Sequence, residues 1–148
     1  MIMKISKKCQ YGLKAAFELA WRNNIEPISA QDIAKAQNVS TRFMEVILNE
    51  LKRGGLIESK RGNEGGYVLA KDTNKLTVRD IIECIDGPIE IVNNDNNKDE
   101  FSIGNEAFKD LWQKINNAIL EVCEKNNFES LIKYEKSKRR NRPLTYNI

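Results

Sequence analysis

Apolar residues recur at helical spacing along most of this chain and at strand spacing in one short stretch. From about Ser6 to Trp21 a first helix is expected, with Leu13, Ala16, Phe17, Ala20 and Trp21 on one face. Three more helices start near 30, 41 and 78, and a long one runs from about Asn105 to Asn127. Their starts share a chemistry. In "ISAQDI", Ser29 is placed to accept from the third backbone N–H, Asp32 sits near the positive helix end, and Ile28 and Ile33 flank the turn as a hydrophobic staple. "LTVRDI" repeats the pattern with Thr77, Asp80, Leu76 and Ile81, and "VSTRFM" does so with Ser40, Val39 and Met44, although Phe43 replaces the acid. Gly54-Gly55 and Gly87-Pro88 stop two of these helices. Between them "LIESKRGNEGGYVLA" predicts strand, turn, strand: Leu56 and Ile57 enter, Gly62 to Gly66 supply positive φ at the reversal, and Tyr67-Val68-Leu69 returns.

Two helices joined by the short "AQNVS" turn and followed by a hairpin have the order of a winged helix-turn-helix. The expected fold is mainly α with a small β-hairpin, and a long C-terminal helix follows it. On "STRFMEVILNELKRGG", Phe43, Met44, Ile47, Leu48 and Leu51 form the apolar stripe. Arg42, Glu45, Asn49 and Lys52 fall on the opposite face. Such a helix fits the major groove of B-DNA, where Arg42 could bind guanine O6 and N7 and Glu45 could accept from cytosine N4. The glycine-rich hairpin tip lets backbone approach a phosphate, and Arg61 beside it can enter a narrow minor groove. A plain solvated helix and a hairpin that only covers the core use the same residue types, so each fragment alone leaves both readings open.

Composition narrows the class. The 148 residues are 41% hydrophobic and 30% charged, as in a globular protein. "MIMKISKKCQYG" has no apolar signal core and no run approaches about 18 uninterrupted apolar residues, so a cytoplasmic chain with no membrane partner is expected. Cys9, Cys84 and Cys123 are odd in number and far apart, which predicts free thiols. Residues 1–71 carry 12 Lys and Arg against 7 Asp and Glu, a net +5; residues 72–132 carry 6 against 13, a net −7; residues 133–148 carry 6 against 1, a net +5. Basic ends around an acidic middle suit an anionic partner.

Three stretches, "MKISKKCQYGLKAAFELA", "STRFMEVILNELKRGGLIESKRGNEGGYVLA" and "LTVRDIIECIDGPIEIV", closely resemble the Rrf-two family of bacterial transcription regulators, over about residues 3–128. The wing "RG" followed by "GGY", and the helix "TVRDIIECIDGP", carry the likeness. The resemblance implies a homodimeric winged helix that binds double-stranded operator DNA. It places DNA contacts on the start of the second helix of the motif, from Ser40 through Thr41 and Arg42 to Glu45, and on the wing residue Arg61; Gly66 of the hairpin is a further expected contact. It also sets Ser6, Lys7 and Tyr11 near phosphates; Lys52 is a further expected phosphate contact. Cluster-binding members place cysteines before the long helix, whereas "GPIEIVNNDNNKDEFSIGNEAF" has neither Cys nor His. That departure points to the cluster-free, cysteine-metabolism repressor branch, which "PLTYNI" faintly resembles.

The remaining expectations concern organisation and chemistry. Residues 1–90 are expected to form the DNA-binding domain, 91–104 a connecting loop in which "NNDNNKDE" buries nothing apolar, 105–134 a dimerisation region and 135–148 a basic tail. Phe108, Ile115 and Val122 recur every seven residues, Leu111 and Ala118 lie between them, and Trp112 and Ile119 widen the stripe beyond what one surface helix needs. With no histidine in the chain, Ser-His-Asp and Cys-His nucleophilic systems are absent, so an enzyme is not expected. No metal or other cofactor is expected, since three scattered cysteines offer no C-x-x-C pair. Cys9 is a candidate redox residue, its thiolate favoured by the first helical turn and by Lys7 and Lys8. A metabolite or protein effector near the long helices is the expected signal. The alternatives are an iron-sulfur or thiol-based redox regulator of the same family, and a winged helix used only for protein docking.

Overall fold

The computed structural model describes residues 4–22, 26–92 and 101–142. Six helices and one hairpin follow in the order α1 Lys7–Trp21, α2 Ala30–Gln37, α3 Thr41–Arg53, β1 Ile57–Lys60, β2 Gly66–Leu69, α4 Val78–Asp86, α5 Asn105–Lys125 and α6 Phe128–Arg140. The capping chemistry forms as expected. Ser29 Oγ accepts from the Asp32 N–H at 3.1 Å and Ser40 Oγ from the Phe43 N–H at 3.1 Å. Thr77 and Asp80 form a reciprocal box at 3.2 and 3.0 Å. The staple residues Ile28, Ile33, Leu76 and Ile81 are all buried.

The core gathers Ala15, Ala16 and Leu19 of α1, Ile33 of α2, Met44, Ile47, Leu48 and Leu51 of α3, Ile57, Leu69, Leu76 and Ile81. The buried face of α1 is turned from the expected one. Cys9, Gly12, Ala15, Ala16, Leu19 and Ala20 are inside, Leu13 and Phe17 are half-buried, and Trp21 is exposed. Small side chains take the tightest positions because they let neighbouring helices approach closely.

β1 and β2 pair antiparallel, Ile57 opposite Leu69 and Lys60 opposite Gly66. Only Gly62 of the hairpin glycines has positive φ, at 120°. Gly66 is there for space: a Cβ on it would stand 2.5 Å from the carbonyl of Ile28. Ile28 and Tyr67 exchange backbone hydrogen bonds of 3.1 and 2.8 Å, so the segment entering α2 clips onto the hairpin as a short third rung.

The C-terminal part differs from expectation. The long helix ends at Lys125, and α6 runs on to Arg140, through the residues expected to begin a tail. Asn127 caps α6 by accepting from the Ser130 N–H at 2.8 Å. Phe128 is buried in the core, its N–H donates to Leu76 at 3.0 Å, and Val78 N–H donates to Asn126 at 3.0 Å. Arg79 of α4 pairs with Glu83 at 2.9 Å and reaches Glu124 of α5 at 3.3 Å. The α5–α6 corner is thereby fastened to the start of α4. The "NNDNNKDE" stretch and "PLTYNI" lie outside the described residues.

Candidate nucleic-acid interface

Burial of Met44, Ile47, Leu48 and Leu51 fixes the rotation of α3 and leaves Arg42, Glu45, Asn49 and Lys52 exposed together on its outer side. Thr41 is exposed at the first turn, and Ser40 beside it spends its hydroxyl lone pair on the cap. Val46 joins this face, 48% exposed, four residues after Arg42 and three before Asn49. Its apolar character conceals it in the sequence, where polar residues mark the outer face. That spacing was the available signal. Flanked by hydrogen-bonding side chains, an exposed valine suits contact with a thymine methyl group.

α1 lines the same side. The Tyr11 ring meets Phe43 edge-on, with centroids 5.8 Å apart and an interplanar angle of 87°, so it steadies the start of α3. Lys14 Nζ lies 5.9 Å from the Tyr11 centroid, and Lys7 is exposed one turn before it. Ser6 is engaged within the subunit. Its Oγ accepts from the Cys9 N–H at 3.0 Å and donates to Asp86, which also accepts from the Ser6 N–H at 3.0 Å. Lys8 is tied to Glu50 of α3 at 2.9 Å.

At the hairpin, Arg61 follows β1 directly and is exposed, with no ion-pair partner among the described residues. Its neighbour Lys60 pairs loosely with Glu58 at 3.7 Å. Gly66 lies at the inner end, half-buried against Ile28. Lys7 of α1, Arg42, Glu45, Asn49 and Lys52 of α3 and Arg61 at the hairpin are all exposed, and no ion pair engages Lys7, Arg42, Lys52 or Arg61 among the described residues.

Cys9 does not have the thiolate character expected of it. It is fully buried, and burial first, then the Asp86 carboxylate beside it, push its thiol up to about 12. The helix dipole and nearby lysines are outweighed by the loss of water. Cys84 and Cys123 are raised as well, by burial, and all three thiols are free.

A family model described as "Iron-dependent Transcriptional regulator", Rrf2, matches residues 5–134. The chain belongs to the Rrf2 family. It is 36% identical over 132 residues to the HTH-type transcriptional regulator CymR of Bacillus subtilis, covering 89% of this chain and 91% of that one. The solved structure of CymR, described as the global cysteine regulator of B. subtilis, superposes with a TM-score of 0.75 at 33% identity, covering 89% of this chain and 98% of that one. The structure of T. potens IscR superposes with a TM-score of 0.74 at 29% identity, covering 97% and 95%. This Rrf2 chain is therefore a winged-helix, DNA-binding transcriptional regulator, and its relatives are regulators rather than enzymes. Among its described residues no helix is long and apolar enough to cross a membrane.

The iron in the family description invites a test of the donor set. A cluster draws mostly on thiolates. Here Cys9 is sealed and protonated in the core, and no three Cys, His, Asp or Glu side chains converge among the described residues. The sequence supplies no histidine. These residues do not fit an iron-sulfur cluster.

Proposed function

We propose that this regulator works in the cytoplasm as a homodimeric repressor, without an iron-sulfur cluster, and seats one α3 and one wing on each half of an imperfect palindrome. The observation that carries the dimer is the bare apolar side of α5. None of its residues is buried. Phe108 is 56% exposed and Val122 62% exposed, Leu111 and Trp112 are exposed with them, and Phe101 and Ile103 just before the helix are fully open. Ala118 is also exposed, while Ile115 and Ile119 are half-buried. So long an uncovered stripe, on a helix whose far end is fastened to its own domain, is suited to the same stripe of a second copy.

Phosphate contacts from Lys7, Lys14 and Lys52 set the register on the duplex. Arg42, Glu45, Val46 and Asn49 read the major groove, and Arg61 reads the minor groove. Repression follows if the operator overlaps a promoter. The likeness to CymR, described as a global cysteine regulator, supports control of cysteine-related genes.

Sedimentation of the parent at micromolar concentration should give a dimer, and Val122→Asp combined with Leu111→Asp should give a folded monomer with weakened duplex binding. A parent monomer would remove the dimer from this account. A module used only for protein docking would show no salt-dependent affinity for duplex DNA.

A further inference from the structure

From Lys133 to Arg142 the chain carries six cations against one acid, Glu135, and all six are exposed. Glu135 pairs with Arg139 at 3.0 Å, and Lys133 pairs with Glu129 at 3.1 Å. No ion pair engages Lys136, Lys138, Arg140 or Arg142 among the described residues. Lys136 and Arg139 are placed instead by an indole, at 5.6 and 5.4 Å from the centre of the Trp21 ring, the last residue of α1. Lys138 lies 5.5 Å from the Tyr134 centroid in the same manner. An aromatic face positions a cation without neutralising it, so these groups keep their charge for an outside partner.

Trp21 also relates this cluster to the recognition side of the molecule. Lys7, Lys14 and Trp21 are spaced seven residues apart, and seven residues bring an α-helix within about 20° of two full turns. The three therefore share one line along α1, and all three are exposed. Lys14 lies over Tyr11, whose ring meets Phe43 at the start of α3, so this line runs beside the recognition helix. At about 1.5 Å per residue, Trp21 stands about 21 Å beyond Lys7. The basic end of α6 gathers at the far end of that line.

We propose that the end of α6 is a second phosphate-binding surface, in which Lys136, Arg139 and Arg140 hold the duplex backbone beyond the stretch met by Lys7 and Lys14. The surface rests on the reading of the chain as a DNA-binding regulator and lengthens its footprint. Duplex DNA is the occupant because the cluster continues a cationic line that already flanks the recognition helix. Ser137 and Asn141, both exposed, interleave hydrogen-bonding side chains of the kind that serve phosphate oxygens. The guanidinium groups of Arg139 and Arg140 match phosphate geometry. Contacts of this kind add affinity and carry no base preference.

The full-length parent is titrated onto a mixed-sequence duplex of about 40 base pairs across a salt series. Beside it run two α6 variants, Lys136→Gln/Arg139→Gln/Arg140→Gln and Lys138→Gln/Arg140→Gln/Arg142→Gln. The second keeps the cations that lie over Trp21 and the pair with Glu135, so it decides the matter should the first lose helicity. A third variant, Lys109→Gln/Lys114→Gln/Lys125→Gln, removes the same charge from α5. Each folded α6 variant should bind at least about tenfold more weakly than the parent at low salt, with a salt slope smaller by about two units. The α5 variant should keep the slope of the parent. An unchanged slope in the α6 variants overturns the surface, and so does an equal fall in the α5 variant, since net charge alone then explains it. Weakened binding of the α6 variants to polyglutamate, with duplex affinity and slope unchanged, overturns DNA as the occupant in favour of an acidic protein. A parent that binds no duplex at all contradicts the regulator reading itself, an outcome distinct from a parent that binds with the slope of its α6 variants.

Discussion

Asp86 and Ser6 stand 80 residues apart in the chain, yet one carboxylate accepts both the backbone N–H and the hydroxyl of the serine that caps α1. The end of α4 therefore fixes the beginning of α1, and with it the placement of Lys7. A negative charge at a helix N-terminus is stabilising in its own right. The pair lies near the surface, so its effect on stability is moderate. Asp86→Ala should lower stability by about 1 kcal/mol in urea denaturation, comparable to loss of the cap itself in Ser6→Ala. The same change should weaken binding to all duplexes, because the Lys7 position is loosened.

Cys9 should be inert in the native protein. Thiol titration with a disulfide reagent at pH 8 should find it protected and should recover all three cysteines after denaturation. Peroxide should leave DNA affinity unchanged to the extent that Cys9 governs it. The sign of the linkage follows from the raised value. Below about 9 both folded and unfolded thiols hold their protons, so Cys9 gives no pH dependence; between about 9 and 12 the unfolded state releases a proton that the folded state keeps, and stability falls. Cys9→Ala should flatten that alkaline slope. A slope unchanged by the substitution would contradict the assigned burial effect.

Gly66→Ala should unseat the wing, since the added methyl would meet the Ile28 backbone at 2.5 Å and backbone cannot rotate away as a side chain can. The expected cost is about 1–3 kcal/mol, measured by thermal or urea unfolding. Amide exchange should show faster loss at Ile28 and Tyr67, whose N–H groups close the rung. Gly62→Ala should be milder in contacts, since nothing lies near its Cβ, but its φ of 120° disfavours any side chain.

Much of this was legible in the sequence because local chemistry dictated it. Ser29 with Asp32, and Thr77 with Asp80, announce helix starts that need no tertiary help, and the α3 stripe is strong enough to set which side faces out. The face of α1 was less legible. Leu13, Phe17 and Trp21 are the larger apolar residues, but α1 buries Cys9, Gly12 and Ala16, and at Gly12 a side chain would run into Ile85 of α4. α6 escaped because only Phe128 of it is buried. Beyond it, half-buried Ile132 packs against the core and Lys136 and Arg139 lie over the Trp21 ring at 5.6 and 5.4 Å, while Glu129–Lys133 at 3.1 Å and Glu135–Arg139 at 3.0 Å are exposed pairs within the helix. Such a polar helix has little hydrophobic period, although Asn127, Glu129 and the terminal Lys and Arg were its capping signals. Whether Cys9 would be activated depended on Asp86 and on burial, neither of which its neighbours in sequence reveal.

The most direct test of the account is the binding of genomic duplex fragments by the parent and by Glu45→Ala, Arg61→Ala, Lys7→Ala and Lys52→Ala proteins, across a salt series. The parent should select an imperfect palindrome whose half-site centres lie about one helical turn or a multiple apart. Glu45→Ala and Arg61→Ala should relax base preference, at about 1–3 kcal/mol for each specific contact. Lys7→Ala and Lys52→Ala should instead weaken every sequence alike and reduce the salt slope by about one unit. An Arg61→Ala protein that keeps both the affinity and the sequence preference of the parent would contradict the assignment of the hairpin as a DNA-reading wing.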